Sequence, residues 1–475
     1  MSELNDVFKF IDEHFDEHIQ KIQSYLRQPS VSGEGIGMHE CAELTAKYIE
    51  NLGGEAEVIS SPIKYAEHPG WPLVYGWLDS GADKTLLVYG MYDTQPVEEE
   101  KWDYPPFGAE IHEISPFGQC IIARGAINTK GPLRAMFNAF EAIIAVKGRL
   151  PVNIIFLIEG EEEIGSLTLI DYVKKNKEKF READASWMAG ARQDRNGKVR
   201  ISLGNKGIIT FDIICRGGDW GGPIGRNLHS SNEAWVESPV WKLIQCLASM
   251  RDETGKVLIN GFYDGVTPPT SEEETIINEL LKTFNEETLK EELSVKRFKY
   301  NLKGRELILQ YLYQPTLNIM GIASGYVGPG TKTIIPHEAR AKLDIRLHPD
   351  QDPEKIWKNI QNHLLEKNFR NVELKLHDAS PGSKTSPNAP IVKAMLKTYD
   401  EYKIEKQIWP FSGGFAPTFI FTKVLGIPFI SGGIGHGGRA HAPNEYIILN
   451  KTGPIYGISD MEKFYVKFLY NYAET

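Results

Sequence analysis

Val152-Asn153-Ile154-Ile155-Phe156-Leu157-Ile158 leads through Glu159-Gly160 into Glu161-Glu162-Glu163-Ile164-Gly165-Ser166, and the architecture turns on this passage. An apolar run of strand length closed by a glycine predicts a buried strand of a parallel sheet. Sheets of that kind carry ligands beyond the carboxyl ends of their strands, so adjacent carboxylates at this mouth point to an active site. Three like charges in a row more commonly form a loop that faces water.

On either side of this passage strands and helices alternate. Val7, Phe8, Phe10, Ile11, Phe15, Ile19, Ile22 and Leu26 recur near helical spacing until Pro29, which predicts one amphipathic N-terminal helix. A helix over 39–52 ends at Gly53-Gly54, and extended runs follow at Leu73-Val74-Tyr75, Leu86-Leu87-Val88-Tyr89 and Ile121-Ile122. A helix from Gly131 to Val146 then feeds the strand 152–158, the βαβ rhythm of a mostly parallel sheet. From Thr210-Phe211-Asp212-Ile213-Ile214-Cys215 the character changes, which predicts an inserted domain; Asp378–Lys384 reads as a linker, and a helix over 390–402 and the strand Pro428-Phe429-Ile430 resume the alternation. The expected fold is an α/β domain with a mostly parallel central sheet, residues 1–208 and 382–475, interrupted by an inserted domain, residues 209–381.

A chain of 475 residues exceeds what one core supports, so two or three folded units are expected. Apolar content of 41% and charged content of 24% are those of a soluble globular protein. A net charge of −10 argues against nucleic acid or an anionic membrane as partner, since both need a basic face. Cys41, Cys120, Cys215 and Cys246 form no CxxC pair, the opening Met1–Asp6 is acidic with no apolar leader, and no segment reaches membrane-spanning length. A cytoplasmic location is expected.

Short polar residues stand at strand ends in four segments: Gly90-Met91-Tyr92-Asp93-Thr94-Gln95-Pro96, Arg124–Pro132, Glu161-Glu162-Glu163 and Gly432–Glu445. In this order they resemble the family of two-zinc amidohydrolases and peptidases that includes carnosinase-type dipeptidases, aminoacylase, acetylornithine deacetylase and succinyl-diaminopimelate desuccinylase. The similarity covers essentially the whole chain. It implies a zinc exopeptidase-like fold, in which the α/β unit is the catalytic domain and residues 209–381 an inserted α+β lid or dimerisation domain, and hydrolysis of a C–N bond. The family's motifs are Gly-His-x-Asp, Gly-x-x-Asp-x-Lys-Gly, Glu-Glu-x-Gly-Ser, a later Asp or Glu, and Ala-His-x-Pro-Asn-Glu.

Carried over position by position, Glu162 matches the family's general acid/base, Glu163 and His441 match two metal ligands, and Asp93 matches the residue that orients the first histidine ligand. Met91 stands in place of that histidine, Asn128 in place of the aspartate that bridges the metals, and Gly190 in place of the later acidic ligand. Thioether and carboxamide are poor zinc donors, and a neutral amide oxygen cannot spread over two cations as a carboxylate does. The expectation is at most one weakly held divalent cation, zinc or manganese, on Glu163, His441 and Asn128 or Asp194, or no metal at all. Without a cation the neighbouring carboxylates repel and one pKa rises. Glu163 could equally serve as a structural partner of His441, and Glu161 is expected to be a bystander.

The resemblance further implies that His229 stabilises the tetrahedral oxyanion in a neighbouring subunit, which makes a homodimer the expected assembly. It implies that Arg346 grips the substrate's terminal carboxylate, a task suited to a bidentate donor. Phe411-Ser412-Gly413-Gly414-Phe415-Ala416-Pro417 stands where the family has Arg-Glu-Gly-Gly, so an apolar contact replaces a charged pair; Gly413, Gly414 and Asn128 are the other expected substrate contacts. The bland alternatives are a structural histidine and a surface ion pair. The expected activity is hydrolysis of a dipeptide or N-acyl amino acid, with Glu162 as acid/base and either water or the hydroxyl of Thr129 or Ser412 as nucleophile. The competing expectation is a non-hydrolytic relative that uses the emptied pocket for binding or other acid/base chemistry.

Overall fold

The computed structural model describes residues 4–64, 69–98 and 101–475, so the first three residues of the acidic opening lie outside it. The chain divides into two compact units: residues up to Leu203 with Thr385–Trp409 and Ile420–Thr475 form the first, and Gly204–Lys384 with Pro410–Phe419 the second.

The first unit is built on a six-stranded sheet in the order Glu55–Ile59, Leu73–Leu78, Asn153–Glu159, Thr85–Met91, Ala185–Ala189, Phe429–Gly432. The first two pairings are antiparallel and the other three parallel. Every residue of Asn153–Glu159 and Thr85–Met91 is buried because both faces of the sheet are covered. On one face Phe137 and Phe140 of the helix Lys130–Lys147 pack on Phe156, and Tyr465 and Phe468 of the helix Ile458–Ala473 pack on Trp187. On the other face Phe421 lies against Tyr89. Where one N-terminal helix was expected there are two, Asn5–Glu13 and Phe15–Arg27. They part at His14, whose ring nitrogen competes for the Phe10 carbonyl at 2.9 Å.

Parallel register pairs Gly90 with Ile158 and Met91 with Glu159, so segments 91–93 and 159–163 leave the sheet side by side. A smaller sheet in the same unit, Gly437–Gly438, Tyr446–Ile448, Gly118–Ile122 and Glu110–Ile114, pairs Tyr446 with Ile122. That ladder draws the Arg124–Pro132 and Gly432–Glu445 segments together.

The second unit has a four-stranded antiparallel sheet in the order Thr316–Ser324, Glu338–Leu347, Gly207–Arg216, Val372–Ser380. Strand alternation sorts its faces. Ile209, Phe211, Ile213, Leu343 and Ile345 form a core with Leu243 of the helix Pro239–Met250 and with Ile356 and Ile360 of the helix Pro353–Glu366. Both helices open on proline after a capping residue, Ser238 or Asp352, whose side chain accepts a first-turn N–H. The opposite face carries Thr210, Asp344 and Arg346.

Residues 378–384, expected as a linker, are instead largely strand: Val372–Ser380 runs into them, and Ser383–Lys384 pairs with Gly204–Asn205 while Ser383 Oγ donates to Asn205 Oδ1 at 2.6 Å. Pro410–Phe419, read from sequence as part of the catalytic segment 382–475, clusters with the second unit because the Phe411 ring packs on Tyr313 and His348. No described helix is long and apolar enough to cross a membrane. The four cysteines are buried and free.

Phe156→Ala empties a site walled by Phe137 and Phe140, so it lowers the stability of the first unit by about 3–5 kcal/mol. Denaturant titration of the variant against the parent reads the loss.

Candidate functional site

Glu445 is wholly buried and accepts four hydrogen bonds: from Arg124 Nη1 at 2.8 Å, and from the backbone N–H groups of Gly125, Ile127 and Asn128 at 3.1, 3.0 and 2.9 Å. Burial raises its pKa, and the N–H donors and the Arg124 charge act against that rise. Arg124 also lies over the Trp102 ring, 5.3 Å from its centroid. The turn 124–128 is therefore fixed from the far end of the chain, and Asn128 is delivered with its side-chain amide facing Glu163.

Asp93 does the same for the glutamate segment. Its carboxylate accepts the N–H of Glu162 at 3.3 Å and of Glu163 at 3.0 Å, and burial pushes its pKa up to about 8. Glu161, expected as a bystander, is 1% exposed. It accepts the Trp71 N–H at 2.6 Å, the Thr168 N–H at 2.8 Å and the Thr168 hydroxyl at 2.6 Å. These bonds bind the loop to the start of the helix Leu167–Lys175. A carboxylate surrounded by orphan N–H groups gains more from accepting them than from hydration.

Glu162 and Glu163 divide. The Glu162 carboxyl is pushed up to about 7 by burial and then by the charge of Glu163. Glu163 accepts Asn128 Nδ2 at 2.8 Å on one oxygen and Gln95 Nε2 at 2.7 Å on the other. Asn128 Nδ2 also lies 2.9 Å from His441 Nε2, and His441 Nε2 lies 3.1 Å from Glu163 Oε1, so three atoms form a closed triangle. Because a carboxylate only accepts, the Asn128 atom facing it is the amide nitrogen, which cannot ligate a cation. Gln95 stood in a quoted segment without being singled out, since a glutamine before proline carries no signal of its own.

The remaining positions carried over from the family are filled differently. Met91 is buried, and the Thr129 hydroxyl donates to its carbonyl at 3.3 Å. A Cβ on Gly190 would fall 2.5 Å from Arg192 Nε, so the Arg192 side chain fills the space beside Gly190; Arg192 Nη2 donates to Ser431 Oγ at 2.5 Å. Asp194 Oδ1 accepts the N–H groups of Asn196 and Lys198 and closes a turn. Among the described residues no three His, Cys, Asp or Glu side chains gather as a cation would require.

His229, Arg346, Ser412, Gly413 and Gly414 belong to the second unit. His229 is exposed, with its ring nitrogens 2.9 Å from Ser231 Oγ and 3.1 Å from Thr333 Oγ1. Arg346 pairs with Asp344 at 3.3 Å. The Gly413 N–H donates to Tyr311 Oη at 2.9 Å, and a Cβ at 413 would strike that ring, whereas Gly414 has ordinary room beside it. Two strongly perturbed groups of this unit escaped the sequence: Lys206, held down to about 8, and His348, held down to about 4, each chiefly by burial.

A family model described as "Peptidase family M20/M25/M40" matches residues 87–457. The chain is 30% identical over 383 residues to the human Beta-Ala-His dipeptidase, covering 76% of this chain and 71% of that one. It is 31% identical over 377 residues to the Cys-Gly metallodipeptidase of Saccharomyces cerevisiae, covering 76% and 75%. The crystal structure of an M20 family metallo-carboxypeptidase from Sulfolobus solfataricus superposes with a TM-score of 0.83 at 36% identity, covering 96% of this chain and 98% of that one.

Glu445→Gln removes the buried negative charge that faces Arg124, leaving an unpaired guanidinium. The expected cost is about 3–5 kcal/mol, seen as a lower midpoint in chemical denaturation followed by circular dichroism.

Proposed function

This chain belongs to peptidase family M20/M25/M40 and is an amide-bond hydrolase of the peptidase class, and from that premise we propose that it cleaves small peptides with a free carboxyl terminus at a site organised by hydrogen bonds in place of a zinc pair. The observation that carries the finer reading is the Asn128 amide nitrogen set between Glu163 and His441, where the family's bridging carboxylate would stand. Several features speak the same way. Both oxygens of Glu163 already hold amide donors, Met91 offers only a thioether, and Arg192 fills the space beside Gly190. Glu163 Oε1 and His441 Nε2 are close enough to share one cation, but the third corner is a hydrogen-bond donor. These residues do not fit two co-catalytic zincs, although the names of two relatives include metal dependence.

In this reading Glu162 takes a proton from the attacking water and returns it to the leaving amine, a role for which a half-buried carboxyl beside a second carboxylate is suited. Asp93 holds the Glu162 and Glu163 backbone and so fixes where that carboxyl stands. Gln95 and Asn128 hold Glu163 in place through neutral donors, one on each carboxylate oxygen. Arg346 receives the terminal carboxylate, and His229 donates to the oxyanion from a neighbouring subunit of a homodimer. The Thr129 hydroxyl is bonded to the Met91 carbonyl, which favours water as nucleophile.

Turnover of β-Ala-His, Cys-Gly and an N-acyl amino acid, measured with and without chelator beside elemental analysis, tests this directly. The expected result is hydrolysis that survives chelation, with far less than one bound metal per chain and a fall of about 10²–10⁴-fold in kcat for Glu162→Gln. One or two zincs per chain together with chelator-abolished turnover would overturn the metal-free reading, and no turnover in any condition would favour the binding-protein alternative. Light scattering is expected to give a dimer; a monomer would remove the role assigned to His229.

A further inference from the structure

The second unit holds a buried cation that its own residues leave uncompensated. Lys206 is 2% exposed, and its ammonium donates to the Gln314 carbonyl at 2.6 Å. Among the described residues no carboxylate reaches it within ion-pair distance. Burial, with a contribution from the neighbouring Arg346 guanidinium, holds the ammonium down to about 8. Arg346 has Asp344 as its counter-charge at 3.3 Å, and that carboxylate also accepts Asn318 Nδ2 at 2.8 Å. The other carboxylates of this region, Glu273 and Asp350, are both engaged by Lys384, each at 3.0 Å. Asp344 thus answers Arg346 alone, and Lys206 is left, among the described residues, without a carboxylate partner where charged groups are normally paired before they are buried.

A third donor stands beside them. His348 is wholly buried between the Tyr313 and Phe411 rings, and its Nδ1 accepts the Asp350 N–H at 3.2 Å. That bond places the ring proton on Nε2, and this N–H finds no acceptor among the described residues. Lys206 is one of the charges that disfavour protonation of His348. Strand register explains the grouping. Ile208 stands opposite Arg346 and Gly207 opposite Leu347, so positions 206, 346 and 348 share one face at one end of the sheet. The Pro410–Phe419 loop closes onto this corner, with the Lys206 N–H donating to the Ser412 carbonyl at 3.1 Å.

We propose that Lys206, Arg346 and His348 form one subsite for a dianionic group, so that the preferred peptides end in an acidic residue whose two carboxylates are divided between Arg346 and Lys206. This rests on the hydrolase reading, in which Arg346 takes the terminal carboxylate; Lys206 and His348 add the recognition of a second one. An ammonium with spare N–H groups and an imidazole N–H without an acceptor are satisfied together by oxygens that a neutral side chain lacks.

Glutarate has the carbon skeleton and carboxylate spacing of a C-terminal glutamate, and glutaramate is its singly charged isostere. Calorimetric titration of the full chain with each, at matched ionic strength, reads the subsite without needing turnover, so loss of hydrolysis and loss of this specificity are separable. The parent protein is expected to bind glutarate at least about tenfold more tightly than glutaramate, as one charge-assisted bond would give. The ratio should fall to near one in Lys206→Met and persist in Lys206→Arg, with circular dichroism confirming that both variants are folded. Equal affinities in the parent, binding of neither ligand, or a preference that survives in Lys206→Met would each overturn the proposal. If Lys206→Met does not fold, the Lys206→Arg ratio together with the parent's decides: a parent preference that Lys206→Arg loses would also count against it.

Discussion

A single buried carboxylate holds the site together. Glu445 comes from the end of the chain, and its four donors come from residues 124–128, more than three hundred positions earlier. Taking a carboxylate out of water is costly unless its lone pairs are filled, and here three backbone N–H groups and a guanidinium fill them. The same bonds satisfy a turn whose N–H groups would otherwise be orphaned. Asp93 repeats the device for Glu162 and Glu163, and Glu161 for the separate N–H groups of Trp71 and Thr168. These acceptors hold the backbone at Asn128, Glu162 and Glu163.

Neutral amides surround Glu163, Gln95 Nε2 on one oxygen and Asn128 Nδ2 on the other. An amide N–H stabilises a carboxylate by a directed hydrogen bond, far more weakly than a dication, and it neither binds hydroxide nor polarises a carbonyl as a Lewis acid would. In the second unit the balance is reversed: Lys206 and Arg346 bring positive charge that the protein does not fully cancel.

Local chemistry made much of this legible in advance. The uncharged run 152–158 could be only a strand covered on both faces, and the mouth it opens onto had to lie beyond its carboxyl end, where Glu162 and Glu163 are found. Other features misled for identifiable reasons. The helical spacing of Val7 to Leu26 passes unbroken through His14, because periodicity does not register a side chain that competes for a carbonyl. Ser380-Pro381-Gly382 has the composition of a linker yet flanks paired strands, because tertiary pairing supplies partners that turn residues alone do not reveal. Glu161 looked like a solvated charge, since a run of glutamates does not say which member meets buried N–H groups.

Periodicity, strand ends and the identities at 91, 128, 162, 163 and 441 were enough to establish the fold class and to locate the mouth of the sheet, because patterning and backbone preference act over a few neighbouring residues. Hydrogen-bond partnership is different: it joins atoms from segments hundreds of residues apart, and its outcome depends on which donors are buried together. Folding alone settled that the Asn128 nitrogen meets Glu163 and His441, that Gln95 takes the second oxygen, and that Arg192 fills the space at Gly190. Lys206 likewise becomes a buried cation only when the Gln314 carbonyl, Arg346 and the Phe411 loop close around it.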